Sequence, residues 1–141
     1  MDKRTPVSAI MTVDVITVAP DDTMDKVQAI FRDHEIHHIP VTENGKVVGI
    51  ISESDYLRLQ NSFSLFKTKS SEDYNDVLMR SLLVKEVMTQ QVAKLRPDDT
   101  VALAAGFFRE NLFRALPIVE PNGKLAGIVT TYDLLNFAFR D

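Results

Sequence analysis

The chain has 141 residues, of which 45% are hydrophobic and 26% charged, with a formal net charge of −4 and no cysteine. This composition predicts a globular protein with a real core, and it excludes disulfide and thiolate chemistry. The acidic balance argues against broad nucleic-acid binding, which needs a basic face over phosphates. No apolar run reaches the roughly 20 residues of a membrane helix, and none follows Met1-Asp2-Lys3-Arg4-Thr5-Pro6 as a signal region would, so a cytoplasmic location without membrane contact is expected.

Taken in order, Val13 to Val18 alternates as a short strand, and Pro20-Asp21-Asp22-Thr23 then supplies a stop and an acidic helix start. Met24, Val27, Ile30 and Phe31 fall on one helical face and are expected in the core. Ile39 to Thr42 and Val47 to Ser52 read as two strands joined through Asn44-Gly45, a hairpin signal. The second strand ends in Gly49-Ile50-Ile51-Ser52-Glu53-Ser54-Asp55, where the hydroxyl of Ser52 stands at the N-cap of a helix and the Asp55 carboxylate at N3. Gln60 to Ser71 is polar and reads as a loop. Ser71 can cap a helix from Glu72 to about Leu82, with Tyr74, Leu78 and Leu82 on one side, serving as a connector or a docking surface.

The rest of the chain repeats the first part. Val7 to Glu43 aligns with Val84 to Glu120, and a one-residue insertion at Pro121 carries the match to Leu59 and Phe137. Identical blocks include Met11-Thr12 with Met88-Thr89, Pro20 to Thr23 with Pro97 to Thr100, Phe31-Arg32 with Phe108-Arg109, Pro40 with Pro117, and the Asn-Gly-Lys turns at Asn44 and Asn122. In the second copy Val101, Ala104, Ala105, Phe108 and Leu112 form the helical face, and Gly127-Ile128-Val129-Thr130-Thr131-Tyr132-Asp133 repeats the strand-to-helix junction. The expected organisation is a repeat over 7–59, a loop and connector helix over 60–83, and a second repeat over 84–139.

Each junction has two readings. In one, the hydroxyl satisfies an orphan amide and the carboxylate complements the helix dipole. In the other, the free amides, hydroxyl and dipole form an anion site and the aspartate accepts hydrogen bonds from a ligand's hydroxyls. Capping does not require an aspartate at one fixed offset twice, so the duplication favours ligand binding.

In each copy V-x-x-(I/V)-M-T, P-D-D-T, a helix, an h-P-(V/I) strand, a hairpin and G-h-h-(S/T)-x-x-D follow in order. That combination resembles a tandem pair of CBS domains, the Bateman module, of the stand-alone bacterial type. The resemblance implies an α+β fold of two β-α-β-β-α repeats packed as a pseudo-two-fold disc, sheets inward and helices outward, with clefts between the repeats for adenosine-containing ligands. It assigns the ribose hydroxyls to Asp55 and Asp133 and phosphate to Ser52 and Thr130. His37 and His38 in the first copy, and Arg114 in the second, would face the phosphates. Ile36, Phe113 and the chain near Thr17 would sandwich the adenine. Thr17 is matched by Lys94 and His38 by Ala115, so the clefts differ, and the cleft of Asp133 with Thr17 and Arg114 is the stronger candidate.

The function implied is regulatory. AMP, ADP or ATP would bind as regulatory ligand, with no cofactor required, and would act on an effector protein or on the module's own oligomeric state. S-adenosylmethionine or a dinucleotide stays open at this stage, as does the alternative of a ligand-free dimerisation module. A homodimer is expected through the last helix of each copy, by Tyr56, Leu57 and Leu59 and by Leu134, Leu135, Phe137, Ala138 and Phe139.

Two other classes fit less well. Ser52, His38 and Asp55 are the residue types of a hydrolytic triad, but no G-x-S-x-G elbow accompanies them and Ala115 replaces the histidine in the second copy, so an enzyme is not expected. His34, His37 and His38 lie close in sequence, yet neighbours in extended chain point to opposite faces and do not converge on a metal.

Overall fold

The computed structural model describes residues 2–63, 71–111 and 113–140. A 3-10 turn, Val7–Ala9, precedes helix α1 (Met24–Asp33), strands β1 (His38–Glu43) and β2 (Lys46–Ser52), and helices α2 (Glu53–Phe63), α3 (Ser71–Ser81) and α4 (Val84–Val87). Helix α5 (Val101–Arg109), strands β3 (Ala115–Val119) and β4 (Leu125–Thr130) and helix α6 (Thr131–Ala138) complete the chain. β1 pairs with β2, and β3 with β4, in separate two-stranded sheets. The second pair is antiparallel with Ala115 opposite Thr130 and Pro117 opposite Ile128. The fold is thus α+β, helices with small antiparallel sheets.

The chain divides into two compact units, and neither coincides with one sequence repeat. One unit comprises Met1–Val15, Asn44–Val47 and Gln91–Asp141; the other comprises Ile16–Glu43 and Val48–Gln90. Each unit therefore holds the body of one copy and the leading residues of the other. The backbone shows why. In the first of these units Val7 donates to the Asp99 carbonyl at 2.7 Å, Ser8 to Pro97 at 3.1 Å, and Val101 to Thr5 at 2.8 Å. In the second, Val84 donates to Asp22 at 2.8 Å, Lys85 to Pro20 at 2.9 Å, and Met24 to Leu82 at 2.8 Å.

The P-D-D-T blocks are built to receive these segments. The second aspartate folds back on its own turn, Asp22 Oδ2 accepting from the Ala19 amide and Asp99 Oδ2 from the Arg96 amide, each at 2.7 Å. An aspartate bonding nearby backbone closes a turn and leaves its carbonyl free for another segment. The Ala19 amide holds the Asp22 carboxyl below its ordinary range, with a further lowering from Lys26 at 3.0 Å opposed by partial burial.

The expected apolar faces point inward. Met24, Val27 and Phe31 of α1 are buried with Val18, Ile39, Val41, Ile51 and Met79, and Ile30 packs at the edge of this cluster. In α5, Val101 and Ala104 are buried, and Phe108 packs against a cluster containing Val7, Leu95, Leu116, Ile118 and Val129. The Asn44-Gly45 turn has φ values of 53° and 81°, the two positive values a type I′ hairpin requires. At the second hairpin the extra Pro121 lengthens the turn, Gly123 alone among its residues has positive φ, and the register shifts between Ile118 and Val119.

Three expectations are corrected. Val13 to Val18 is not a strand: only Thr12 and Val18 make isolated bridges, Val18 beside Val41 in parallel, as Leu95 does beside Ile118. The β-branched run is suited to a strand, but between those two points no partner runs alongside it. Gln60 to Phe63 is helical, since α2 continues through Phe63 instead of yielding to a loop at Gln60. Tyr56 is only 7% exposed and packs tilted on Phe31 with ring centroids 5.8 Å apart, so it belongs to the core and not to a docking face. The expectations for residues 64–70 and Leu112, and for the side chains of Ser71 and Tyr74, lie outside the described residues. Among the described residues no helix is long and apolar enough to cross a membrane.

Candidate functional site

Strand β4 ends at Thr130 in extended conformation, with φ −112° and ψ 168°, and α6 begins at the next residue. An extended N-cap lets its side chain turn back on the first helical turn. Thr130 Oγ1 accepts from the Asp133 amide at 3.3 Å while Asp133 Oδ2 accepts from the Thr130 amide at 2.9 Å, a reciprocal capping box. The other carboxylate oxygen, Oδ1, accepts from the Thr12 hydroxyl at 3.3 Å.

The first copy makes only half of this arrangement. Ser52 Oγ accepts from the Asp55 amide at 3.0 Å. The Asp55 carboxylate turns instead to Arg58, one turn further along α2, and accepts from its Nη2. Among the described residues no return bond from Asp55 reaches the Ser52 amide.

The next donors are the first helical amides. Glu53 donates to the His37 carbonyl at 2.8 Å, and Thr131 to the Arg114 carbonyl at 3.2 Å. His37 and Arg114, two of the three residues expected on the phosphate side, are thereby fixed by their own backbone at a helix start. With the N1 and N3 amides engaged, the N2 amides of Ser54 and Tyr132 are the backbone donors left for an added anion. His37 also bonds through its side chain, Nδ1 lying 3.2 Å from Glu53 Oε1. Arg114 is exposed.

The glycine of each junction is set by close approach. A Cβ on Gly127 would lie 2.6 Å from Met11 Sδ and 2.7 Å from the Thr12 carbonyl oxygen; one on Gly49 would lie 2.5 Å from Met88 Sδ and 3.0 Å from the Thr89 oxygen. Thr12 pairs with Ile128 through two backbone bonds of 2.9 and 3.0 Å, and Thr89 pairs likewise with Ile50. Thr12 is a site residue that the sequence reasoning passed over. Its signal was the identity of the Met-Thr blocks in the two copies.

The unit built on the first copy brings together Ser52, Asp55, His37 and His38, the last opening β1, with Ile36 packed at the edge of its core. Thr17 belongs to this unit and is half-buried. The other unit brings together Thr130, Asp133, Arg114 and Phe113, whose ring meets Phe107 edge to face at 6.0 Å. Lys94, in the same unit as Thr130, donates to the Val47 carbonyl at 3.1 Å. A groove of about 520 Å³ opens beside Asp133, lined by Ile10, Asn136, Phe137, Phe139 and Arg140. His34 ends α1 as its C-cap and is exposed, and among the described residues no three metal-ligating side chains converge.

A family model for the CBS domain matches residues 7–62 and 84–140. The inosine-5′-monophosphate dehydrogenase of Korarchaeum cryptofilum is 31% identical over 133 residues, which cover 91% of this chain but 24% of that protein, so the chain spans about a quarter of its length. The CBS domain of a CBS domain containing membrane protein from Sphaerobacter thermophilus is 35% identical, with a TM-score of 0.78 over 95% of this chain and 88% of that one. CBSX2, solved in complex with AMP, shares the fold at 24% identity and a TM-score of 0.77, covering 96% of each chain. The matched residues take in both junctions and nearly the whole chain, and the chain belongs to the CBS-domain family as a tandem pair.

Proposed function

We propose that this CBS pair is a regulatory module that binds an adenosine nucleotide, AMP, ADP or ATP, and passes its occupancy to an effector protein or to its own state of assembly. The observation that carries this reading is the second junction. There a capping box fixes one oxygen of Asp133 and leaves Oδ1, with only a neutral hydroxyl on it, able to accept from a ribose diol. The N2 amide and Arg114 supply donors for phosphate, and the Thr130 hydroxyl, which donates to Asp133 Oδ2 at 3.1 Å, joins them on turning from that carboxylate. In the first copy Asp55 takes the ribose diol and Ser52, His37 and His38 stand on the 5′ side of the ligand; Ile36, Phe113 and Thr17 are the residues proposed for the base. CBSX2 carries AMP on this fold, which supports the ligand class. In this reading the module is not an enzyme, needs no cofactor of its own, and works in the cytoplasm.

Calorimetric titration tests the proposal. Saturable binding of AMP, ADP or ATP, weakened at least about tenfold by Asp133→Asn, is the expected result. Absence of heat and of any thermal shift with all three at millimolar concentration overturns it.

A second reading, assembly without a ligand, has one observation in its favour. Tyr132 and Leu135 of α6 and Phe139 at its C-cap stand 69%, 57% and 80% exposed. Light scattering at micromolar concentration with and without AMP separates the two readings: a dimer indifferent to nucleotide favours assembly, and a change in mass on adding AMP favours sensing.

A further inference from the structure

The two junctions differ at the first helical position, where α2 starts with Glu53 and α6 with Thr131. Glu53 meets His37 twice, by its amide on the His37 carbonyl at 2.8 Å and by Oε1 against Nδ1 at 3.2 Å. At the second junction only the backbone half of this pairing exists, with Thr131 donating to Arg114. The side chain that would meet a phosphate in the first copy is therefore already bonded to a carboxylate, and that carboxylate sits at the end of the helix where an anion would otherwise gain from the dipole. Deeper in the helix, Asp55 pairs with Arg58, a position that is Asn136 in α6. The Arg58 side chain is 76% exposed, and exposed pairs of this kind are weak, so a ribose diol can displace it.

Resting on the reading of the junctions as adenosine sites, we propose that Glu53 determines specificity at the first junction, selecting adenosine ligands uncharged on the 5′ side over nucleoside 5′-phosphates. Two like charges within a few ångströms at a partly exposed site repel strongly enough to reverse a preference. An uncharged 5′-hydroxyl can instead donate to the Glu53 carboxylate, and the diol keeps Asp55. The second junction, with Thr131 and Arg114, keeps the phosphate, so one chain takes ligands of two charge types.

The test is calorimetric titration of adenosine and of AMP into Asp133→Asn protein, in which the first junction is left intact, with thermal melts to establish that the variants are folded. The expected result is adenosine bound at least about tenfold more tightly than AMP. Added to that background, Glu53→Gln and Glu53→Thr should each raise AMP affinity about tenfold while adenosine stays within about threefold. AMP bound as well as adenosine by Asp133→Asn protein overturns the proposal, as does an AMP affinity that neither Glu53 variant moves. Wild-type protein that binds neither ligand overturns the role of Glu53, and where ADP and ATP fail as well it overturns the functional reading itself. Wild-type binding combined with an Asp133→Asn protein that binds neither ligand overturns only the role of Glu53.

Discussion

The two strand-to-helix junctions share a motif and a backbone path but not a hydrogen-bond pattern. At Thr130 the carboxylate three residues on completes a capping box and is held again by Thr12; at Ser52 the same carboxylate turns away to Arg58. The difference teaches that a motif specifies where a group stands, whereas its neighbours decide what it is free to do. Arg58 and Glu53 are both residues that the second copy lacks; Arg58 pairs with the Asp55 carboxylate and Glu53 bonds the His37 ring.

The largest expected effect concerns the glycines. Gly127→Ala should destabilise the chain by about 3 kcal/mol and Gly49→Ala by about 1–2 kcal/mol in urea unfolding. The closest backbone atom to the added methyl at Gly127 is the Thr12 oxygen at 2.7 Å, which cannot yield, whereas at Gly49 the tightest contact is the flexible Met88 Sδ and the backbone oxygen lies at 3.0 Å. Equal losses would show that the two Met-Thr segments are seated with the same tightness.

Next comes ligand affinity. Asp133→Asn should weaken AMP binding by about 1.4 kcal/mol or more in calorimetry, and Asp55→Asn by much less, because the first junction already answers its own charges. Comparable losses at both positions would remove the distinction between the junctions.

The turns beneath the junctions should be closer to equal. Asp22→Ala and Asp99→Ala each remove an acceptor 2.7 Å from a backbone amide, and each should cost about 1 kcal/mol in thermal unfolding. The carboxyl of Asp22 is held below its ordinary range in the folded state, so its contribution is complete above the ordinary aspartate value and fades as pH falls through the lowered one. Asp22→Asn should therefore flatten the loss of stability below about pH 4, as followed by melts across an acid series. An unaltered acid profile would remove that carboxylate from the account.

The smallest effect is the most local. Thr12→Val should cost about 0.5 kcal/mol by removing the hydroxyl from Asp133, and Thr89→Val should cost less, since no bond joins Thr89 to Asp55 among the described residues. Thermal melts of the two variants decide the order.

Much of this was readable from residues alone. Asn44-Gly45, Ser52 with Asp55, Thr130 with Asp133, and the stripe of Met24, Val27 and Phe31 are short-range patterns, and each carries its own chemistry within a few positions of chain. Arg58 at three residues from Asp55 was within the same range and could have been noticed as an i,i+3 partner. Thr12 could not be placed in that way, because its partner is Asp133.

The sequence by itself determined the duplication, the caps, the first hairpin and the junction residues, since local hydrogen bonds and side-chain periodicity act over one turn of helix or one step of strand. Tertiary structure alone decided that Met11 seats at Gly127 and Met88 at Gly49, that Val7 pairs with Asp99 and Val84 with Asp22, and that Val13 to Val18 has no strand beside it. The physical reason is that two copies with the same Met-Thr, Pro-Asp-Asp-Thr and junction blocks offer closely similar partners. Which copy's segment completes which unit depends on the path of the whole chain, which no local pattern encodes.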